Sequence, residues 1–264
     1  MPRPHGGKLV NRLTKASKIE KVKTEALEIP KVSVSHELRL DFENIAFGLY
    51  SPLKGPLTET EFDSVVSKGR LSNDIPWSIP ILLDVTEDEA SKFNVGDSIA
   101  IESNGELFAV VEVDDKYGWD KEFYSTNIYK TIDSEHPGVA KTNGMKPVLV
   151  GGSMEIFNEH PGKFPKYRLK PEETRFLFKE KGWRTVAGFQ TRNAPHMGHE
   201  YVQKTALSFV DGLFINPLIG KKKAGDFTDI VIIESYQALI DNYFLKNAAT
   251  LVTLEMELRY AGPK

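Results

Sequence analysis

The chain has 264 residues, 40% of them hydrophobic, and no cysteine. That length and apolar content can fill a sizeable core, in one large domain or two modest ones. The formal charge of −3 offers no global basic field for nucleic acid, and the missing cysteines exclude disulfides, thiolate zinc sites and a cysteine nucleophile. No apolar run approaches the ~20 residues a membrane span needs. The opening MPRPHGGKLVNRL lacks the apolar stretch of a signal peptide. The expectation is a cytoplasmic protein with neither a membrane nor a nucleic-acid partner.

Residues 1–166 read mostly as β. Lysines from Lys8 to Lys23 suggest a solvated or partly ordered arm. The segment from Phe42 to Leu57, with S-P-L-K-G-P-L at 51–57, reads as a loop after a helix. Alternating runs follow at 79–85 (I-P-I-L-L-D-V), 98–103 (S-I-A-I-E-S) and 106–113 (E-L-F-A-V-V-E-V). Asn104-Gly105 between the last two is a hairpin signal, because both positions of a type I′ turn need positive φ. Val95-Gly96-Asp97 marks another tight turn. A small curved sheet or barrel is expected.

The pattern changes near His160-Pro161-Gly162-Lys163, and residues 167–264 read as α/β. Pro171 to Lys181 has proline at its start, acids next and lysine at its end, as a helix dipole favours, with Gly182 as the stop. Thr185 to Phe189 is an apolar strand. His199 to Val210 reads as a helix turning Val202, Ala206, Leu207, Phe209 and Val210 to the core. Gly212 to Leu218 is a second strand, Thr228 to Phe244 a second helix capped by Thr228 or Asp229, and Ala249 to Leu254 a third strand. This alternation predicts a parallel α/β sheet. Three strands leave a thin sheet, so a partner covering its edge or a shortened polypeptide is expected.

The stretch G-F-Q-T-R-N-A-P-H-M-G-H-E at 188–200 lies where the first of these strands gives way to a helix. Ligands of parallel sheets sit beyond the carboxyl ends of strands. A helix N-terminus attracts phosphate through unpaired N–H groups and a partial positive charge. Arg192 offers a planar fork for two oxygens of a tetrahedral anion. Gln190 and Asn193 add neutral donors, and Gly198 lets an anion approach the backbone. His196 and His199 share a face on the first turn. That pair also fits two surface histidines or half of a metal site, although no cysteine or further histidine cluster completes a shell. No nucleophile and no carboxylate base is built in. The set suits one oxyanion attacking a phosphorus while the protein positions the groups and neutralises charge. Lys221, Lys222 and Lys223 fit either polyphosphate contacts or a solvated loop.

Q-T-R-N-A-P-H-M-G-H-E resembles the signature of the ATP sulfurylase (sulfate adenylyltransferase) family, whereas other nucleotidyltransferases share only H-x-G-H. Family-like segments run along the chain: P-H-G-G-K-L-V-N-R at 4–12, G-L-Y-S-P-L-K-G at 48–55, I-P-W-S-I-P-I-L-L-D-V at 75–85, E-H-P-G-V at 135–139, V-L-V-G-G at 148–152, N-P-L-I-G-K-K-K-A-G-D at 216–226 and R-Y-A-G-P at 259–263. The resemblance implies a PUA-like β domain over 1–166. It implies a Rossmann-like nucleotidyltransferase α/β domain over 167–264. It also implies transfer of AMP from ATP to sulfate, giving adenosine 5′-phosphosulfate and pyrophosphate, with Mg2+ carried by ATP, no protein-bound metal, and a homo-oligomer. By motif, Gln190 and Arg192 would hold sulfate, and Arg192 would also meet the α-phosphate. Thr191 and Asn193 would form the active-site turn, Asn193 touching phosphate. His196 and His199 would stabilise charge on the departing pyrophosphate, with Gly198 beside them. The family continues after R-Y-A-G-P with a helix, a strand and a G-R-D-H-A-G-like loop, so a truncated catalytic domain is expected here. The family's S-P-L-x-G-F-M reads S-P-L-K-G-P-L. Two other readings stay open: a noncatalytic relative that binds anions or an oligomeric partner, and an H-x-G-H adenylyltransferase with an organic phosphate acceptor.

Overall fold

A computed structural model describes residues 3–220, 225–259 and 261. They form two compact units, one of Pro4–Glu159 joined by residues 258, 259 and 261, the other of His160–Glu257 joined by Arg3.

The first unit is built around a five-stranded sheet. Its elements in chain order are α1 (Ile19–Glu28), β1 (Lys31–Ser33), α2 (His36–Ala46), α3 (Glu59–Lys68), β2 (Leu83–Val85), α4 (Glu87–Ala90), β3 (Ser98–Ser103), β4 (Glu106–Gly118), α5 (Lys121–Ile128), α6 (Pro137–Asn143) and β5 (Val148–Ile156). The strands lie in the order β1-β3-β4-β5-β2, with β1 parallel to β3 and the other pairs antiparallel. Asn104 (φ 53°) and Gly105 (φ 78°) make the expected hairpin turn between β3 and β4. At the other end Gly96 donates to the Val113 carbonyl at 2.8 Å, closing the second expected turn. The pairing of β4 with β5 shifts between Val113 and Asp115, a bulge that bends the long strand.

The glycines of V-L-V-G-G have a packing reason. Gly152 donates to the Pro56 carbonyl at 3.0 Å, and Met154 to the Lys54 carbonyl at 3.0 Å, so the 54–57 segment lies hard against β5. A Cβ on Gly152 would fall 1.9 Å from the Glu112 carbonyl oxygen, and one on Gly151 would fall 2.4 Å from the Thr58 Cα. Both obstacles are backbone, which cannot swing aside.

Helices are more frequent in this unit than a mostly β reading allows. The lysine-rich stretch is an ordered helix over its second half, not a solvated arm. Val22 and Ala26, one turn apart on α1, are buried with Ala100 and Phe157, while the lysines face outward. Burying a valine side chain is worth about 2 kcal/mol, enough to hold a short helix on a sheet. The helix before the 42–57 segment also runs further than expected, to Ala46, because Phe42, Ile45 and Ala46 are buried in the main core.

Helix α2 carries buried charges as well. Arg39 pairs with Glu43 at 3.3 Å and Glu106 at 2.6 Å, and donates to the Asn158 carbonyl at 3.2 Å. Asp41 is fully buried; both its oxygens accept from the Arg259 guanidinium, and Tyr50 donates to it at 3.2 Å. Burial, and then the Asp41 carboxylate, push the Tyr50 hydroxyl well above the usual tyrosine range.

The second unit contains α7 (Pro171–Glu180), β6 (Val186–Thr191), α8 (Met197–Leu207), β7 (Gly212–Ile219), α9 (Asp229–Tyr243), β8 (Ala249–Leu251) and β9 (Leu254–Glu255). Strands β6, β7 and β8 pair in that order and in parallel, and β9 pairs with the far end of β7. Leu213, Ile215, Ile232, Ile233, Tyr236 and Leu251 form the core between sheet and helices. Pro171 opens α7 as expected, and Gly182 stops it at φ 72°. The expected face of α8 is corrected. Val202 is 55% and Phe209 83% exposed, whereas Gln203 is fully buried. The helix starts at Met197, two residues before the expected start; its inward stripe runs through His199, Gln203 and Leu207, of which Leu207 was expected there.

Gly152→Ala is expected to cost about 2–3 kcal/mol through overpacking against a carbonyl that cannot move. Thermal unfolding should show a clear fall in Tm, whereas Gly118→Ala, whose Cβ would meet nothing within 4 Å, should leave it nearly unchanged.

Candidate active site

The parallel register sets the site. Gln190 of β6 lies opposite Asn216 of β7, and Thr191 opposite Pro217, so the two strands run out at the same carboxyl edge. Thr191 is buried, and its hydroxyl accepts from the Asn193 N–H at 3.2 Å. That bond turns the chain sharply away from the sheet, as a threonine hydroxyl can when it replaces a strand partner. Thr191 therefore shapes the turn. Gln190 and Asn193 are exposed on either side of it.

The turn feeds directly into α8. His196 is the N-cap, and its Nδ1 accepts from the Gly198 N–H at 3.1 Å. An imidazole nitrogen that accepts carries no proton, so the neutral ring bears its proton on Nε2. A Cβ on Gly198 would fall 2.9 Å from the His196 ring. Gly198 was expected to admit an anion to its backbone; in the structure its N–H is taken by His196, and its missing side chain makes room for the ring.

His199 stacks on His196 with ring centroids 3.9 Å apart and 29° between planes. Its other side meets Phe189 of β6 edge-on at 5.6 Å. Burial, and then the His196 charge, pull His199 below the ordinary histidine range; the Ala194 carbonyl opposes this weakly. Its Nδ1 is buried with no hydrogen bond of ordinary geometry among the described residues.

Arg192 emerges just after β6, half-buried. It donates to the Asp226 carboxylate at 3.0 Å, across the connection between β7 and α9. Sequence reading missed Asp226, because 34 residues separate the partners. It also missed Gln203 and Tyr236. Both are fully buried, and neither side chain reaches hydrogen-bond geometry among the described residues. The Thr191 and Gln203 side chains face the Tyr236 hydroxyl and oppose the upward push of burial on it. The signal for Gln203 was its place four residues after His199, one turn along the same face. Lys221, Lys222 and Lys223 lie outside the described residues.

The arrangement brings together a half-buried guanidinium, exposed amides and a stacked imidazole pair at one strand-to-helix turn. Its side chains are hydrogen-bond donors, and the guanidinium carries a positive charge. Among the described residues no group of three or more His, Asp or Glu side chains is set to hold a metal ion, and no helix is long and apolar enough to cross a membrane.

Comparison with known proteins agrees with this layout. The model of the PUA-like domain family matches residues 2–159, and that of the ATP-sulfurylase family matches residues 165–264. A sulfate adenylyltransferase of Thermococcus onnurineus is 52% identical over 99% of this chain and 68% of its own length. That of Pyrococcus abyssi is 52% identical over 99% of this chain and 68% of its own. The Halothermothrix orenii protein of the same name is 40% identical, covering 100% of this chain and 70% of its own. The chain thus spans about two thirds of the length of these curated relatives. A solved structure described as a hexameric APS kinase from Thiobacillus denitrificans superposes with a TM-score of 0.74 and 25% identity, over 97% of this chain and 47% of that one.

The state of His199 is directly measurable. An NMR titration of the ring signals should place its midpoint below the ordinary value of about 6.5. The unfolded chain then holds more protons than the folded one between the two midpoints, so stability falls as pH drops through that window. His199→Gln should lose this part of the pH dependence. A wild-type midpoint at or above the ordinary value would contradict the buried, neutral ring.

Proposed function

The chain belongs to the ATP-sulfurylase family, and from that premise we propose that it catalyses adenylyl transfer between ATP and sulfate. A sulfate oxygen attacks the α-phosphorus of ATP. The bond from that phosphorus to the bridging oxygen breaks, and pyrophosphate leaves with the electron pair, giving adenosine 5′-phosphosulfate. Sulfate is too weak a base to need deprotonation, so the protein's work is to hold two repelling anions together.

Arg192 holds two oxygens of sulfate with its fork and reaches the α-phosphate as the new bond forms. Gln190 and Asn193 supply neutral hydrogen bonds to sulfate and phosphate. Thr191 keeps the turn that aims them. His196 offers its Nε2 proton to the departing phosphates, with His199 stacked behind it and Gly198 leaving space for the ring. Mg2+ travels with the nucleotide's phosphates in this scheme. Residues 167–264 carry the chemistry and residues 1–166 form the PUA-like part. The chain is taken to work in the cytoplasm and as a homo-oligomer, a state supported by the hexamer named for its structural neighbour.

The observation that carries the proposal is the histidine pair stacked at 3.9 Å over the start of α8, directly after the strand that delivers Arg192. The test is pyrophosphate release that requires both ATP and sulfate, or exchange of labelled pyrophosphate into ATP in the presence of adenosine phosphosulfate. Activity that ignores sulfate but responds to an organic phosphate would point to another adenylyltransferase.

Arg192→Lys should lower turnover by about 100-fold, because a point charge cannot reproduce the two-pronged contact. Turnover near that of the wild type would remove Arg192 from its role. Light scattering should give a mass above the 29.7 kDa of one chain; a monomer at working concentration would count against the oligomer.

A further inference from the structure

We infer that Asp226 is a built-in competitor for the anion at Arg192, so that its carboxylate sets how tightly sulfate binds. This rests on the reading of Arg192 as the sulfate-holding residue. The geometry is direct. The Asp226 Oδ2 lies 3.0 Å from an Arg192 terminal nitrogen, and the Asp226 and Arg192 side chains are 22% and 23% exposed. A carboxylate is itself a small oxyanion, and it engages the group that sulfate must use. The two anions repel each other, so sulfate either displaces Asp226 or binds beside it at a cost.

The placement is suited to exchange rather than to permanent burial. Asp226 stands on the connection between Ile219 and Thr228, next to Gly225, which has φ 89° and open space where a Cβ would be. The carboxylate of Asp41 has the opposite setting: it is fully shut off from solvent and accepts from both Arg259 and Tyr50. An ion pair that keeps about a fifth of each side chain in water holds the guanidinium in place without locking it. When no substrate is present, Asp226 keeps Arg192 at the carboxyl edge of the sheet. When sulfate arrives, the same negative charge weakens its hold and eases its release.

The experiment is a calorimetric titration of the whole chain with sodium sulfate, for the wild type, Asp226→Asn and Asp226→Ala. Removing the charge should tighten sulfate binding by about 2- to 5-fold, the range of a partly exposed ion pair. Nitrate, with one charge, should gain less than sulfate, a contrast that a general change in packing would not produce. The alanine variant keeps the test open should the asparagine variant fold poorly. Unchanged or weaker sulfate binding in the folded variants overturns the inference and makes Asp226 a brace for Arg192. Arg192→Ala separates the underlying reading: if it binds sulfate as the wild type does, the assignment of Arg192 fails, and the inference falls with it. Binding by neither the wild type nor the Asp226 variants overturns both.

Discussion

The parallel pairing of β6 with β7 is the constraint on which the site depends. Register alone, Gln190 opposite Asn216 and Thr191 opposite Pro217, makes both strands end at one edge. The segments that leave the two strands are then delivered to the same place: Arg192 and α8 from the first, Asp226 and α9 from the second. Parallel strands need long crossovers, and the loops at their carboxyl ends are free of ladder hydrogen bonds, so these loops can carry chemistry without disturbing the sheet. A shift of β6 by one residue would turn Thr191 outward. The hydroxyl that holds the Asn193 N–H would be lost, and with it the turn that places His196 at the helix start.

The two units treat charge differently, and the contrast is physical. In the sheet-rich unit Arg39, Glu43 and Asp41 are out of water or nearly so, and each finds an opposite charge, Asp41 from an Arg259 that is itself 21% exposed. Such groups cannot be parted cheaply, because breaking a buried pair strands a charge in a poor solvent. They are suited to fixing one conformation. At the strand-to-helix turn the pair of Arg192 with Asp226 stays partly wet. Water can take over either partner. The two arginines are equally exposed, so the difference lies in the carboxylates: Asp41 is shut off from solvent and Asp226 is not.

Much of this was legible in the sequence, and the failures share a cause. The hairpin at Asn104-Gly105 and the helix from Pro171 to Gly182 were readable because turn and cap chemistry is local. The signature at 190–199 was readable because its residues are contiguous. Helix α1 was hidden because only Val22 and Ala26 are buried, with Ile19 packed beside them, and charged residues of both signs make up half of it. The face of α8 was misjudged at Val202 and Phe209 because apolar character was taken as the sign of the inward side, while the polar Gln203 occupies that side; Leu207 packs on the core as expected. Asp226 needed the fold itself, since nothing in its neighbourhood names a partner 34 residues earlier.

The start of α8 shows how one side chain both caps a helix and fixes its own tautomer. A bare N-terminus would present its own N–H groups to an anion. Here His196 intervenes: its Nδ1 consumes the Gly198 N–H, and its ring stands between backbone and solvent. The ring nitrogen left to donate is then Nε2, on the far side of the imidazole from the Gly198 N–H. Accepting at Nδ1 also fixes the tautomer, so the outward nitrogen carries the proton in the neutral form. Burial, and then the His196 ring stacked on it, disfavour the charged form of His199, whose other side meets Phe189.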